Sequence, residues 1–317
     1  MAWQPDIIGI GAEKSATTWA WSMLNQHSEM CMSQPKELNF FNTNFDRGTE
    51  WYRSCFRYDA ATQKCGEISP LYMDSPQAAQ RIASACPQSR ILVMLRNPFT
   101  RTISHLFHDA QNLLGGVTYV TPEAMKEFAA KDDKYLRRSQ YGRQLQPFFD
   151  HFDVSQIGVF FFEDIAADSL GTVSALYRFA GIDSAFVPEG HCEKVNASSD
   201  FRFAGFTRVL MRASQMARSF PLTRQLMEWT YHHTKLRERI IDALSVDRGR
   251  PEIVFEDVFS SDTTDMIYRD LELLDRLLPN GCPESWEGLS PAIERSNAPV
   301  QTGIELTTAR ESHRSAA

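Results

Sequence analysis

The chain has 317 residues, of which 43% are hydrophobic and 23% charged, a composition typical of globular enzymes. A chain of this length can bury a sizeable core in one large domain, or in one domain with an added lobe. The net charge of −7 at pH 7 argues against nonspecific attraction to nucleic acid or to an anionic membrane, so we expect no nucleic-acid partner.

Six cysteines are scattered along the chain, without the close pairs typical of a metal site. In a chain of this length we interpret them as reduced thiols. The N-terminal residues lack the pattern of a signal peptide, and no apolar run approaches the about 20 residues that cross a bilayer. We therefore expect a soluble cytoplasmic protein without a transmembrane segment.

Segments with strand and helix patterns alternate along residues 7–180. Short, mostly apolar runs predict strands at Ile7–Ile10, Met30–Ser33, Ile91–Leu95 and Gly158–Phe162. Helices are predicted at Thr17–Gln26, Pro76 to about Ala85, Pro98 to about Leu113, about 137–150 and Leu170–Ala180. Strands that alternate with helices indicate a parallel sheet with helices on both faces.

The residues after about 200 have a different character. Their apolar residues recur at helical spacing, so this part is predicted to be mainly helical. The stretch 191–239 is basic, and we interpret its arginines either as solvated helix faces or as a lid that attracts an acidic acceptor. Residues after about 290 are polar and low in aromatics, which predicts a disordered tail.

A short loop joins the first predicted strand to the first helix and carries Lys14, Ser15, Thr17 and Thr18. The N–H groups at a helix N-terminus are open to a ligand, and the helix dipole adds about half a positive charge there. With a lysine and hydroxyls beside it, such a loop is suited to bind an anion. The ATP- and GTP-binding loop has a glycine before its lysine, whereas this chain has Glu13, so an ordinary nucleoside-triphosphate loop is not expected.

Four segments of the chain resemble motifs of sulfotransferases that use 3′-phosphoadenosine 5′-phosphosulfate (PAPS), especially the heparan sulfate-type and bacterial members. Lys14–Trp19 resembles the 5′-phosphosulfate loop, and residues 91–108 resemble the 3′-phosphate motif. Lys36–Phe41 resembles the segment Lys-Glu-x-x-Phe-Phe, and Glu67–Tyr72 resembles Glu-Lys-Ser/Thr-Pro-x-Tyr. The resemblance implies PAPS as co-substrate, 3′-phosphoadenosine 5′-phosphate (PAP) as product, and no metal.

The resemblance also implies which residues bind PAPS. The 5′ end would be held by the loop residues Lys14, Ser15, Ala16, Thr17, Thr18 and Trp19, although Trp19 also suits a packing role. Tyr141 lies in a segment near the nucleotide, with a core role as the alternative. Lys194 and Asn196 lie in a basic loop predicted to close over PAPS.

Arg96 and Ser104 are predicted to bind the 3′-phosphate. Arg96 ends a buried strand, and ligands bind outside the carboxyl ends of strands in open α/β sheets. Its guanidinium group matches phosphate oxygens in a bidentate way, with pairing to a carboxylate as the alternative. Arg101 is expected at the surface. His105 and His108 lack a third metal ligand nearby in the sequence, so we expect no metal site.

Glu37 is predicted to be the catalytic base. The acceptor loses a proton as it attacks, and a carboxylate within hydrogen-bond reach takes it; the matching glutamate of heparan sulfate sulfotransferases has this role. Aromatic neighbours are expected to exclude water from Glu37 and to raise its pKa. Lys14 is predicted to stabilise the leaving phosphate. Glu67 is the rival base, and His105 and His191 are the histidine alternatives.

The family resemblance and the alternation of elements together predict an α/β, P-loop-kinase-like three-layer fold. It would have a central parallel sheet of about five strands and a mainly helical C-terminal part. We expect one domain at 1–290, made of a cofactor-binding core at 1–185 and a helical lid or acceptor-side part at 186–290, followed by a disordered tail at 291–317.

Two other functions fit parts of the pattern: a P-loop-type nucleotide kinase or NTPase, and a non-catalytic nucleotide-binding relative. The sequence does not identify the acceptor, which could be a small molecule, a saccharide, a lipid or a carrier-bound intermediate. It also leaves open whether an oxygen or a nitrogen is sulfated. The oligomeric state is not predicted. Ile68 replaces the family lysine, and Asn39 stands where histidine is common. Both departures argue against a heparan-type specificity.

Overall fold

The computed structural model describes residues 3–57, 61, 63–113, 121–192, 200–201, 245–246 and 253–286. Its strands are β1 Ile7–Gly11, β2 Met30–Met32, β3 Lys64–Ile68, β4 Arg90–Leu95, β5 Ile157–Phe161, β6 Asp200–Phe201 and β7 Ser245–Val246. Its helices are α1 Thr17–Gln26, α2 Gly48–Ser54, α3 Pro76–Ala85, α4 Pro98–Leu113, α5 Pro122–Ala129, α6 Lys134–Arg137, α7 Tyr141–His151, α8 Phe162–Ala167, α9 Ser169–Ala180 and α10 Ser261–Leu277.

Five strands form a parallel sheet in the order β2-β3-β1-β4-β5. The predicted parallel sheet and four of its strands are confirmed, whereas β3 was not predicted. Because β1 and β4 are neighbours, the loops that follow them meet at one edge of the sheet. The backbone N–H of Ala12 donates to the carbonyl of Met94 over 2.6 Å, which fixes this neighbourhood. Strands β6 and β7 form a separate antiparallel pair.

Helices cover both faces of the sheet, which confirms the three-layer fold. Alternate strand residues face opposite sides, so Ile91 and Val93 belong to one buried cluster and Leu92 and Met94 to another. The first cluster is completed by α3, α7 and α10, and the second by α1 and α9. None of the helices in the described residues is both long and apolar enough for a membrane span.

Helix α10 is the described helix of the region predicted to form a lid. It packs along α7 and contributes Ile267, Leu271 and Leu274 to the first cluster. Its Asp270 carboxylate accepts hydrogen bonds from the backbone N–H groups of Gly142 and Arg143, over 2.8 and 2.9 Å. This carboxylate satisfies N–H groups at the start of α7, which would otherwise lack partners. The C-terminal helix therefore supports the part of the sheet edge where Tyr141 lies.

Candidate anion-binding and catalytic site

The loop between β1 and α1 has an unusual backbone. Lys14 and Ala16 adopt left-handed conformations, with φ of 69° and 62°, which cost roughly 1–2 kcal/mol for residues other than glycine. Helix α1 begins after Ala16 without any side-chain cap. Its first N–H groups are therefore available to a ligand, as predicted for an anion-binding loop.

Ser15 lies at the centre of this loop and is completely buried. Its Oγ has no hydrogen-bond partner among the described residues. It lies beside the Tyr141 hydroxyl, which donates its own hydrogen bond to the Arg96 carbonyl over 2.9 Å. A buried hydroxyl without a partner costs free energy, and a ligand oxygen in the loop would remove that cost. Tyr141 thus links the loop after β1 to the end of β4.

Lys14 supplies the positive charge of the loop. Burial lowers the pKa of this lysine, although the carboxylates of Glu13, Asp109 and Glu37 oppose the shift. Within the part of the chain that the structure describes, Lys14 forms no ion pair. A half-buried ammonium group without a close counter-ion is stabilised by binding an anion.

Arg96 and Ser104 lie on the other side of the same edge. The Arg96 guanidinium group lies 4.6 Å above the Phe162 ring, and its Nε donates to Thr100 Oγ1 over 3.1 Å. Ser104 is half-buried and follows Thr100 by four residues in α4, so it lies on the same helix face. Ser104 therefore lies one turn further along the helix face that Arg96 contacts through Thr100.

Arg101 was predicted to lie at the surface, and this prediction is wrong. Its side chain is fully buried and donates to Ser139 Oγ over 2.7 Å, to the Tyr135 carbonyl and to His105 Nδ1 over 3.3 Å. These bonds tie α4 to α6, and burial lowers the pKa of Arg101. A charged residue was assigned to the surface by type, whereas Ser139 and Tyr135, two of its three partners, are more than 30 residues away in the sequence.

His105 is held as a neutral imidazole. Because arginine only donates, the bond from Arg101 makes Nδ1 an acceptor and leaves the proton on Nε2. Nε2 lies 3.7 Å from both Glu13 and Asp109. Burial, followed by the charge of Arg101, lowers the pKa of His105 to about 3. The ring is 2% exposed, so its surroundings suit a structural role. His191, the other histidine alternative, contacts Ser169 at the start of α9.

An ion-pair cluster fixes the loop from outside. Arg138 Nη1 donates to Glu13 Oε2 over 2.6 Å, and its Nε donates to Asp74 Oδ2 over 2.8 Å. Glu13 and Arg138 are 125 residues apart, so the sequence offered no sign of the pair. Glu13, which replaces the glycine of the triphosphate-binding loop, therefore anchors the loop to the residues just after α6.

Glu37 lies within electrostatic range of Lys14, which places the predicted base near the anion loop. Its carboxylate pairs with the Lys36 ammonium group and its side chain is 47% exposed. The expectation that aromatic residues exclude water from Glu37 is therefore wrong. The rings of Phe40 and Phe41 pack inward into the core instead. Glu37 has a left-handed backbone with φ of 65°, as does Asn39 with φ of 48°.

Glu67, the rival base, is completely buried in β3. Its carboxylate accepts hydrogen bonds from the hydroxyls of Tyr52, Ser69 and Tyr72 over 2.7, 2.8 and 2.8 Å. Burial raises the pKa of Glu67 to about 7, while the three hydrogen bonds act in the opposite direction. Ile68 is also fully buried, so the residue that replaces the family lysine packs in the core.

Four other predicted binding residues have different outcomes. Trp19 is 4% exposed and packs in the core, where its Nε1 donates to the His191 carbonyl. Tyr141 is also fully buried, so the structure favours the core role that was its alternative. Lys194 and Asn196 lie outside the described residues. No group of three or more metal-binding side chains is found in the ranges that the structure describes.

The fold and the site define an α/β protein with a half-buried lysine and an uncapped helix start at the carboxyl edge of a parallel sheet. The chain belongs to the sulfotransferase family, whose domain matches residues 4–210, more than half of the chain. The family predicted from the four motifs is therefore confirmed, and with it a transferase.

Curated relatives and a solved structure agree with this assignment. The chain is 25% identical over 197 residues to the bifunctional heparan sulfate N-deacetylase/N-sulfotransferase 1 of Xenopus laevis, covering 57% of this chain and 22% of that protein. It is 24% identical over 180 residues to mouse heparan sulfate glucosamine 3-O-sulfotransferase 6, covering 56% and 52%. The chain thus spans between about a fifth and a half of these two relatives.

A sulfotransferase crystal structure from Alicyclobacillus acidocaldarius has the same fold. It superimposes with a TM-score of 0.53 at 26% sequence identity, and the match covers 62% of this chain and 89% of that one. The similarity agrees with the P-loop-kinase-like fold predicted from the sequence.

The raised pKa of Glu67 predicts a specific dependence of stability on pH. Between its ordinary value of 4.5 and about 7, Glu67 is protonated in the folded protein and ionised in the unfolded chain. Unfolding then releases a proton, so rising pH removes stability across this window. The free energy of unfolding of the wild type, relative to that of Glu67→Gln, should fall from pH 4.5 to pH 7 in urea titrations.

The exposed Glu50 provides the control, because Glu50→Gln should keep the wild-type pH dependence. If the free energies of unfolding of the wild type and of Glu67→Gln change in parallel between pH 4.5 and pH 7, burial does not shift the pKa of Glu67.

Proposed function

We propose that the chain transfers a sulfuryl group from PAPS to a hydroxyl of an acceptor, with an amine as the alternative to the hydroxyl. The observation that carries this proposal is the pair of orphan groups in the β1–α1 loop. Lys14 lacks an ion pair and Ser15 Oγ lacks a hydrogen bond within the described residues. Both groups suit a 5′-phosphosulfate, and Arg96, just after β4, and Ser104 of α4 suit a 3′-phosphate.

The proposed reaction is an in-line displacement at sulfur. The acceptor oxygen forms a new S–O bond as the bond between sulfur and the bridging phosphate oxygen breaks, and that oxygen leaves on PAP with the electron pair. The acceptor proton passes to the Glu37 carboxylate. Lys14 stabilises the negative charge that develops on the leaving oxygen. Because positioning and electrostatics supply most of such catalysis, loops held rigidly by the fold suit this reaction.

Two features favour PAPS over a nucleoside triphosphate. Glu13 replaces the glycine that allows a triphosphate to approach the loop backbone, and it is committed to the ion pair with Arg138. Arg96 and Ser104 supply a second anion-binding position beyond the 5′ loop, which suits the 3′-phosphate of PAPS. The kinase alternative has no comparable observation in its favour.

A saccharide hydroxyl is the acceptor class that the relatives' names suggest. We propose a weakly charged saccharide or a small molecule, because the family lysine of the segment Glu67–Tyr72 is replaced by the buried Ile68. A cytoplasmic location is also proposed, since all six cysteines are free thiols. The basic stretch 191–239 lies mostly outside the described residues, so its acceptor-side role stays a prediction.

The base is tested with Glu37→Gln. This variant keeps the size of the side chain and removes its ability to take a proton, so kcat should fall by roughly 10²–10⁴-fold. The affinity for PAP, measured by calorimetry, should stay near that of the wild type, because Glu37 does not hold the nucleotide. Glu50→Gln, an exposed glutamate on α2, is the matched control and should keep wild-type turnover. Unchanged kcat in Glu37→Gln would remove Glu37 from the mechanism.

Recognition of the 3′-phosphate is tested with Arg96→Ala. The variant should bind PAP more weakly by about tenfold or more, since a charged hydrogen bond contributes about 1.5–3 kcal/mol. Its affinity for adenosine 5′-phosphosulfate, which lacks the 3′-phosphate, should change much less. The exposed Arg178 of α9 gives the control Arg178→Ala, which should leave both affinities unchanged. Equal losses for the two ligands in Arg96→Ala would contradict the assignment.

A further inference from the structure

The backbone around Glu37 is fixed by two hydroxyl groups that lie outside its own segment. Ser69 Oγ accepts a hydrogen bond from the Asn39 N–H over 3.0 Å, and the Tyr72 hydroxyl accepts one from the Phe40 N–H over 2.7 Å. Both hydroxyls belong to the segment that leaves β3. The chain two and three residues after Glu37 is therefore held by groups from a different element.

Both hydroxyls are oriented by the same buried carboxylate. Ser69 donates to Glu67 Oε2, and Tyr72 donates to Glu67 Oε1. Above about pH 7 Glu67 is ionised, and an ionised carboxylate only accepts hydrogen bonds, so each hydroxyl must then direct its hydrogen at Glu67. The lone pairs of Ser69 and Tyr72 then face outward, where the N–H groups of Asn39 and Phe40 lie.

This support is needed because the segment is strained. Glu37 and Asn39 both have left-handed backbones, with φ of 65° and 48°. Such conformations persist in residues other than glycine when the surroundings over-determine them. Two further contacts hold the segment: Asn44 Nδ2 donates to the Leu38 carbonyl over 2.8 Å, and Arg81 donates to the Phe41 carbonyl over 2.9 Å.

We infer that Glu67 is a positioning residue, which holds Glu37 in place by orienting the hydroxyls of Ser69 and Tyr72 toward the backbone of Asn39 and Phe40. This inference rests on the proposed function, because it assigns Glu37 as the base. Glu67 itself is completely buried, and all three hydroxyls around it are donors to its carboxylate, so no acceptor molecule reaches it.

No charged partner among the described side chains competes for Glu67. The titratable groups that interact electrostatically with Glu67 are Tyr52 of α2, Tyr72 of its own segment, Cys55 just after α2 and Cys86 just after α3. All four are uncharged at neutral pH. The hydroxyl directions are therefore set by the carboxylate alone.

Tyr52 and Tyr72 offer a matched pair of variants. Each hydroxyl donates to the same atom, Glu67 Oε1, over nearly the same distance. Only the Tyr72 hydroxyl also accepts from the segment that carries Glu37. Tyr52→Phe and Tyr72→Phe thus remove the same bond to Glu67, while only the second removes a bond to the Phe40 backbone.

The first measurement is amide hydrogen exchange, which does not depend on any activity. In Tyr72→Phe the Phe40 amide should exchange about fivefold faster than in the wild type, the effect of losing one neutral hydrogen bond. In Tyr52→Phe it should exchange at the wild-type rate. Glu67→Gln should accelerate exchange at Asn39 or Phe40, because the amide group of glutamine donates where the carboxylate accepted. Equal exchange rates in the two tyrosine variants would overturn the inference.

The second measurement is steady-state turnover with PAPS. Tyr72→Phe and Glu67→Gln should lower kcat about 10- to 100-fold, the cost of a displaced catalytic group, with PAP affinity close to that of the wild type. The loss in Tyr52→Phe should be much smaller. In a Glu37→Gln background, Tyr72→Phe should cost little more, since residues that act through one another are not additive.

The outcomes separate this inference from the proposed function. Equal kcat losses in Tyr52→Phe and Tyr72→Phe, with Phe40 exchange unchanged in both, would overturn the positioning role. A wild-type protein that binds no PAP and transfers no sulfuryl group would overturn the proposed function. Even in that case, faster exchange of the Phe40 amide in Tyr72→Phe but not in Tyr52→Phe would still support the orienting role of Glu67.

Discussion

Positive charge at the carboxyl edge of the sheet is the constraint around which the site is organised. Lys14 is half-buried without an ion pair in the described residues, and burial lowers its pKa. A desolvated cation of this kind is stabilised when an anion approaches. The uncapped start of α1 and the unpartnered Ser15 Oγ lie beside it, and both can donate to the same anion. Together they explain why the loop keeps a strained backbone in the absence of glycine.

Two polar networks, one partly and one fully buried, hold the candidate reacting groups on either side of this edge. The ion pairs of Arg138 with Glu13 and Asp74 fix the anion loop from the side of α6. The hydroxyls around Glu67 fix the segment that contains Glu37 from the side of β3. Among the described residues, the non-glycine residues with left-handed backbones all lie in these two segments. Strain and polar support therefore occur together, as expected where geometry is held for chemistry.

The sequence predicted most of the fold because most strands are short, mostly apolar runs, as in Ile91–Leu95. Strand β3 escaped prediction because Lys64–Ile68 contains Gly66 and Glu67, which local patterns assign to loops. The burial of Glu67 depends on Tyr52 and Tyr72, whose hydroxyls satisfy its carboxylate. Only the folded chain brings these groups together.

The candidate site was predicted in part for a similar reason. Lys14 and Arg96 follow predicted strands, so their convergence could be expected from the parallel sheet. Glu37 was assigned by family resemblance, and its exposure and its pairing with Lys36 were not foreseen. Arg101 was misplaced at the surface, because a buried arginine is recognised by its partners rather than by its neighbours in sequence.

Calorimetric titration with PAP, compared with adenosine 5′-phosphate and with ATP plus Mg²⁺, tests the central claim most directly. Binding of PAP without metal, at least about tenfold tighter than adenosine 5′-phosphate, would correspond to about 1.4 kcal/mol for the 3′-phosphate and would agree with two anion positions at this edge. Failure to bind PAP, together with Mg²⁺-dependent binding of ATP, would contradict the account and favour a nucleotide kinase.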